Sequence, residues 1–147
     1  MGRIVKAAAL AGALDGFAAI ALYVWILGVT TTPRLFAGIA EALFPPGHPL
    51  LGVGVHFCVA LAWTLVWAAA LRLQPALRAL PAIVAGPLFG AVVWFSMRLV
   101  VLPLVHGYLV PFTRWTFWAQ VGIHMALVGP AIVGILHDRP SVALDKQ

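Results

Sequence analysis

Four apolar stretches, each long enough to cross a lipid bilayer, take up most of this 147-residue chain. A membrane-spanning helix needs about 20 consecutive apolar residues. Hydrophobic residues make up 63% of the chain and charged residues 9%, against roughly 45–50% and about 25% in an average soluble domain. We therefore predict an all-α membrane protein, a four-transmembrane-helix bundle that forms one domain over residues 1–147. The expected spans are at about residues 7–30, 50–73, 80–105 and 115–137.

The distribution of basic residues predicts how the bundle is oriented. Lysine and arginine are enriched in the cytoplasmic segments of membrane proteins. With the N-terminus inside, most basic residues fall on the inner face, and both termini are cytoplasmic. The inner-face residues are Arg3, Lys6, Arg72, Arg78, Arg139 and Lys146, and the outer loops carry Arg34 and Arg114. The net charge of +5 reflects this inner excess, so we expect a lipid bilayer as partner and no nucleic acid.

The connection between the first two spans predicts a short periplasmic amphipathic helix. Thr32 can cap a helix whose first position is Pro33, and Pro45, Pro46 and Gly47 stop it. Apolar residues recur at helical spacing on one face, which is typical of a helix lying in the membrane interface. Those residues are Leu35, Phe36, Ile39, Leu43 and Phe44. We expect this helix to act as a lid on the bundle.

Polar side chains inside the spans predict a pocket. Arg98 lies in an otherwise apolar run, and a guanidinium at membrane depth costs several kcal/mol unless it is paired or hydrated. With about 1.5 Å of rise per residue, Arg98, His56 and Gln120 fall at one depth in the outer half of the membrane. His124 lies one turn inward of Gln120. The candidate pocket residues are Asp15, Glu41, His56, Arg98, Gln120 and His124, with Glu41 reaching the pocket from the lid helix.

Each of these side chains also has a purely structural interpretation. Asp15 can tie the first helix to its neighbours through hydrogen bonds, and His56 can be an interfacial histidine. Arg98 can extend its long side chain outward to the lipid headgroups. His124 is harder to explain in this way, because a histidine near the membrane centre must find a partner or a water, and it titrates near neutral pH.

The sequence is consistent with three functions. In the first, the polar groups carry or sense protons or handle a small polar solute. In the second, the protein is an accessory or assembly subunit of a larger membrane complex. In the third, His56 and His124 ligate a haem or a metal, although their depths differ by about 6 Å on the same rise per residue. No nucleophile motif or phosphate-binding loop is present, so we expect no enzymatic activity, no catalytic residue and no cofactor.

Paired glycines predict close helix packing. Gly12 with Gly16 and Gly86 with Gly90 are GxxxG pairs, which let helix backbones approach. We favour packing inside the bundle, with a homo-oligomer through either pair as the alternative. Prolines within the spans predict local distortions of the helices; they are Pro87, Pro103 and Pro130.

The second half of the chain resembles the YagU-like family of small bacterial inner-membrane proteins. The resemblance covers about residues 50–139 and rests on sparse motifs. These are His56-Phe57 opening a span, Gly86 and Gly90, a polar residue five before Pro103, and Gln120-x-x-x-His124 on a last helix that ends in basic residues. This chain has Gln120 where that family is expected to have an acidic residue, and Arg98 where it is expected to have histidine. The resemblance implies a bundle in the bacterial inner membrane with a role in acid or envelope stress, and it supplies no catalytic residues.

Overall fold

The computed structural model describes residues 1–41, 43–107 and 112–137, which form helices and connecting turns without a strand. Four helices are long and apolar enough to cross a membrane: α1 (Gly2–Ile26), α3 (Pro49–Leu73), α4 (Ala82–Val105) and α5 (Trp115–His137). A shorter helix, α2 (Thr32–Glu41), connects α1 to α3, and a 3₁₀ turn, Pro75–Ala79, connects α3 to α4. The predicted all-α membrane bundle is confirmed.

The helix ends follow local backbone chemistry. The first span ends at Ile26, earlier than predicted, because Gly28 turns the chain at a φ of 62°, a value that suits glycine. α2 begins at Thr32, one residue before the predicted first position, Pro33. At the start of α3, His48 accepts a hydrogen bond from the Leu50 amide through Nδ1, so this exposed histidine caps the helix.

The bundle is tightly packed at one end and open at the other. α1 lies between α3 and α5, α5 lies between α1 and α4, and α2 packs on α3. We call the end that carries α2 the cap end and the opposite end the base. The buried apolar core occupies the middle and the base of the bundle. It includes Ala11, Trp67, Leu71, Ala85, Phe89, Val93, Val128, Ile132 and Val133.

The backbones of the spanning helices α4 and α5 touch where the two helices cross. A Cβ atom on Gly129 would overlap the carbonyl of Gly86 and the backbone of Gly90, and one on Gly90 would overlap the carbonyl of His124. Backbone contact of this kind requires glycine at the crossing point. The Gly86 and Gly90 pair is therefore used inside the bundle.

The glycines of α1 have the same use against α3. A Cβ atom on Gly12 would lie 2.8 Å from the Phe57 ring, and one on Gly16 would lie 3.4 Å from His56 Nε2. Both glycines are buried within the single chain. Oligomerisation through any of these glycines stays a prediction.

Beyond their crossing, α4 and α5 are held apart by aromatic rings. Trp94 on α4 contacts Phe117 on α5, with ring centroids 5.8 Å apart. Each helix also contains a π-helical turn, Met97–Val101 in α4 and His124–Val128 in α5. A proline ring clashes with the carbonyl four residues earlier, and for Pro103 and Pro130 that carbonyl lies within the π turn. The wider turn accommodates the ring.

The outer surfaces of the helices are apolar. Large hydrophobic side chains on all four spanning helices are exposed, among them Phe17, Leu65, Leu88, Leu104 and Trp118. A soluble monomer rarely exposes so continuous an apolar surface. Lipid is the solvent that matches it.

We predict that Gly129→Val destabilises the bundle by about 3 kcal/mol, at the upper end of the range for overpacking, because the added side chain meets backbone atoms that cannot move aside. Gly122→Val on the same helix is the matched control, because nothing lies within 4 Å of its Cβ position. The measurement is unfolding of the purified protein in mixed detergent micelles. Equal midpoints for the two variants would contradict the assigned α4 and α5 contact.

Candidate functional site

A cavity of about 560 Å³ lies between the cap-end halves of the four spanning helices, beneath α2. Its volume is within the range of small-molecule sites, about 300–1,000 Å³. Leu35, Phe36 and Ile39 line it from α2, so the predicted apolar face of that helix covers the cavity. The polar lining residues are Asp15, Tyr23, His56, Arg98, Gln120 and His124, and most of the others are apolar or glycine.

Asp15 lies between two histidines from different helices. Its Oδ1 is 3.7 Å from His124 Nε2, and its Oδ2 is 4.0 Å from His56 Nε2. The glycines of α1 make this possible, because Gly12 and Gly16 leave room for the α3 side chains. A carboxylate and two imidazoles from α1, α3 and α5 therefore form one cluster, which we call the Asp15 cluster.

The hydrogen bonds of the two histidines define which nitrogen carries hydrogen. Nδ1 of His124 lies 3.0 Å from the backbone carbonyl oxygen of Gln120, and Nε2 of His56 lies 2.9 Å from that of Gly12. A carbonyl oxygen only accepts, so each of these nitrogens must donate. In its neutral form His124 then presents the unprotonated Nε2 to Asp15, whereas neutral His56 uses its Nε2 hydrogen on Gly12.

This tautomer assignment has a consequence for the Asp15 and His124 pair. An imidazole lone pair and an ionised carboxylate both only accept hydrogen bonds, so they repel one another when both lack a proton. One added proton, on the carboxyl group or on Nε2, turns the same contact into an attraction. The His124 side chain is buried, with 9% of its surface exposed. The contact is therefore favourable with one added proton and unfavourable without it.

Arg98 lies on the cavity wall formed by α4. Its guanidinium carbon is 5.5 Å from the centroid of the Trp94 ring, a cation–π contact. The opposing helix adds to this site, because the Trp94 ring also lies 4.8 Å from that of His124. Trp94 was not among the predicted pocket residues. Its spacing from Arg98 could have identified it, because residues four apart are neighbours on a helix.

Five of the six predicted pocket residues line the cavity: Asp15, His56, Arg98, Gln120 and His124. Glu41 does not, because its side chain is exposed at the end of α2.

The predicted difference in depth between His56 and His124, about 6 Å from the rise per residue, does not keep them from one partner. The Asp15 carboxylate lies between their side chains and reaches both.

His56 Nε2 donates its hydrogen to the Gly12 carbonyl, so in neutral His56 this nitrogen has no lone pair for a metal. Among the described ranges, 1–41, 43–107 and 112–137, no group of three histidine, cysteine or acidic side chains is placed to hold a metal ion.

Comparison of the chain with protein-family models, with curated proteins and with solved structures finds no match. The resemblance of residues 50–139 to the YagU-like family stays a prediction.

We predict that neutral His124 carries its hydrogen on Nδ1 and neutral His56 on Nε2. ¹⁵N spectra of histidine-labelled protein distinguish the two forms, because protonated and unprotonated ring nitrogens resonate far apart. His124→Gln and His56→Gln assign the signals. Finding His124 in the Nε2–H form would contradict the hydrogen bond to the Gln120 carbonyl.

Proposed function

We propose that this protein is a non-enzymatic membrane protein whose cavity takes up and releases protons at the Asp15 cluster. The observation that carries the proposal is the contact between Asp15 and His124, which is favourable only when one proton is present. Histidine changes charge near neutral pH more readily than any other side chain. Ionisable side chains inside a membrane are costly and are usually functional.

The packing favours proton uptake from one end of the bundle. The cavity has polar side chains among mostly apolar lining residues and is large enough to hold water. Below the Asp15 cluster the core is closed by Ile132 and Val133, both 0% exposed. Protons therefore reach the cluster from the cap end, and this conformation supports a proton sensor rather than an open proton channel.

Proton uptake would change the contacts of three elements at once. A charged His124 attracts Asp15 on α1, and it also strengthens the interaction with the Trp94 ring on α4. Both effects pull α1 and α4 toward α5 at the level of the cavity. The charge of one histidine is thereby converted into a change in cavity width, which a ligand or a partner could read.

We predict that tryptophan fluorescence falls as the pH is lowered, because a protonated imidazole quenches an adjacent indole and the His124 and Trp94 ring centroids are 4.8 Å apart. His124→Gln and Trp94→Phe should each abolish this step in detergent-purified protein. The control is His48→Asn, which keeps a hydrogen-bond acceptor at the start of α3. A fluorescence titration that His124→Gln leaves unchanged would rule out protonation of this histidine as the switch.

Liposomes distinguish sensing from conduction. Protein reconstituted with an internal pH dye is exposed to an external acid pulse. We expect the parent protein and His124→Gln to admit protons no faster than empty liposomes, because the core between the cluster and the base is packed. Proton entry that is faster with the parent protein than with His124→Gln or empty liposomes would indicate a proton channel instead of a sensor.

The distribution of charge supports a cap end that faces the periplasm. Arg3 donates a hydrogen bond to the carbonyl of Ile135, so the start of α1 and the last part of α5 meet at the base. Basic residues are concentrated at the base in the sequence, and such residues prefer the cytoplasmic side. On this orientation the cluster would report periplasmic acidity, which agrees with the acid-stress role implied by the resemblance to the YagU-like family.

We predict that reporter fusions after Gln147 read cytoplasmic and that fusions in the loop after α2, at Gly47, read periplasmic, since positive charge retains the base inside. The paired fusions control for expression. The reverse pattern would place the cavity on the cytoplasmic side and remove periplasmic sensing from the proposal.

A further inference from the structure

The cavity combines one accessible acidic group with aromatic walls. The Asp15 side chain is 24% exposed, compared with 13% for His56 and 9% for His124. Asp15 lines the cavity, so its carboxylate is the member of the cluster that a molecule in the cavity can reach most readily. Neither of its oxygens lies within ordinary hydrogen-bond distance of a histidine nitrogen, and lone pairs therefore remain available.

Aromatic side chains from four helices surround the same space. They are Tyr23 of α1, Phe36 of α2, Trp63 of α3 and Trp94 of α4. The face of an aromatic ring attracts cations, and the attraction is stronger when water is excluded. Trp94 already has the Arg98 guanidinium over its ring, which shows that this wall accepts positive charge.

We infer that the cavity binds a lipophilic organic cation, an onium centre carrying aromatic or alkyl groups, with its charge toward Asp15 and its apolar groups against the aromatic walls. The inference rests on the proposed function, because it names the ligand class of the same cluster. A carboxylate supplies the opposite charge, and the apolar lining supplies burial for the rest of the molecule. No polar partner other than Asp15 is required for such a ligand.

Proton and cation then compete for one carboxylate. When the pair formed by Asp15 and His124 is without its added proton, the cluster is negative and attracts the cation. When the proton is bound, the cluster is neutral and the attraction is lost. The other titratable or charged groups that line the cavity are His56 on α3, Arg98 on α4 and Tyr23 on α1.

Arg98 sets the charge balance of the cavity. It stands on α4, across the cavity from α1, and its positive charge opposes that of the ligand. Removing this charge should therefore strengthen cation binding, whereas an anionic ligand would depend on Arg98 and be repelled by Asp15. Substitutions at the two charged positions thus give opposite results for the two ligand classes.

The test uses tetraphenylphosphonium and tetraphenylborate, two ions of nearly the same shape and opposite charge. Binding to the purified full-length protein in nonionic detergent is measured by equilibrium dialysis at pH 8 and pH 5. We expect the phosphonium ion to bind at pH 8 and about tenfold more weakly at pH 5. Asp15→Asn should weaken binding at pH 8 by about tenfold, corresponding to about 1.4 kcal/mol, and Arg98→Gln should bind as tightly as the parent protein or more tightly.

Three outcomes would overturn the inference. One is phosphonium binding that Asp15→Asn leaves unchanged. Another is borate binding that is lost in Arg98→Gln, which would identify an anion site. The third is no binding of the phosphonium ion to the parent protein. Thermal unfolding confirms that each variant is folded, and Asp15→Glu, which restores the charge, should recover binding if Asp15→Asn does not fold. The fluorescence titration of His124 does not use these ions, so a negative result in the binding experiment would not contradict the proposed proton uptake.

Discussion

The backbone contact between α4 and α5 is the constraint on which the rest of the structure depends. Gly86 and Gly90 on one helix and Gly129 on the other leave no room for a Cβ atom. Two helices that touch at one point and cross at an angle must separate away from that point. At the cap end the separation is filled by Trp94 and Phe117, and what these rings do not fill becomes part of the cavity.

The cavity changes the energetics of the polar residues that line it. In lipid an ionised aspartate would be strongly unfavourable. Asp15 instead lines a cavity that can hold water, and a proton added to His124 would turn the contact with Asp15 into an attraction. The hydrogen bonds from His124 to the Gln120 carbonyl and from His56 to the Gly12 carbonyl fix the orientation of the two rings. Because His124 then presents its unprotonated nitrogen to Asp15, the energy of the Asp15 cluster depends on whether one added proton is bound. Packing at the base and polarity at the cap end are two results of one arrangement of helices.

Much of this arrangement could be predicted from local sequence. The four spans follow from apolar length, and α2 follows from Thr32, Pro33 and the spacing of Leu35, Phe36 and Ile39. The polar pocket follows from the high cost of burying Arg98 and His124 among apolar residues. Glu41 lies outside the cavity lining. A helix end can be predicted more readily than the direction of a side chain at that end. Trp94 was missed because an aromatic residue in a membrane span looks like an ordinary packing residue.

The sequence by itself determined the number of spans, the lid helix and the kinds of polar group that must share an interior. These follow from solvation and helical periodicity, which act over a few neighbouring residues. Only the tertiary structure decided that Asp15 stands between His56 and His124, and that a cavity opens at the cap end. The tilt of each helix and the point at which two backbones meet depend on side chains far apart in the chain. A difference of a few ångströms in that geometry decides whether a carboxylate touches one imidazole, two or none.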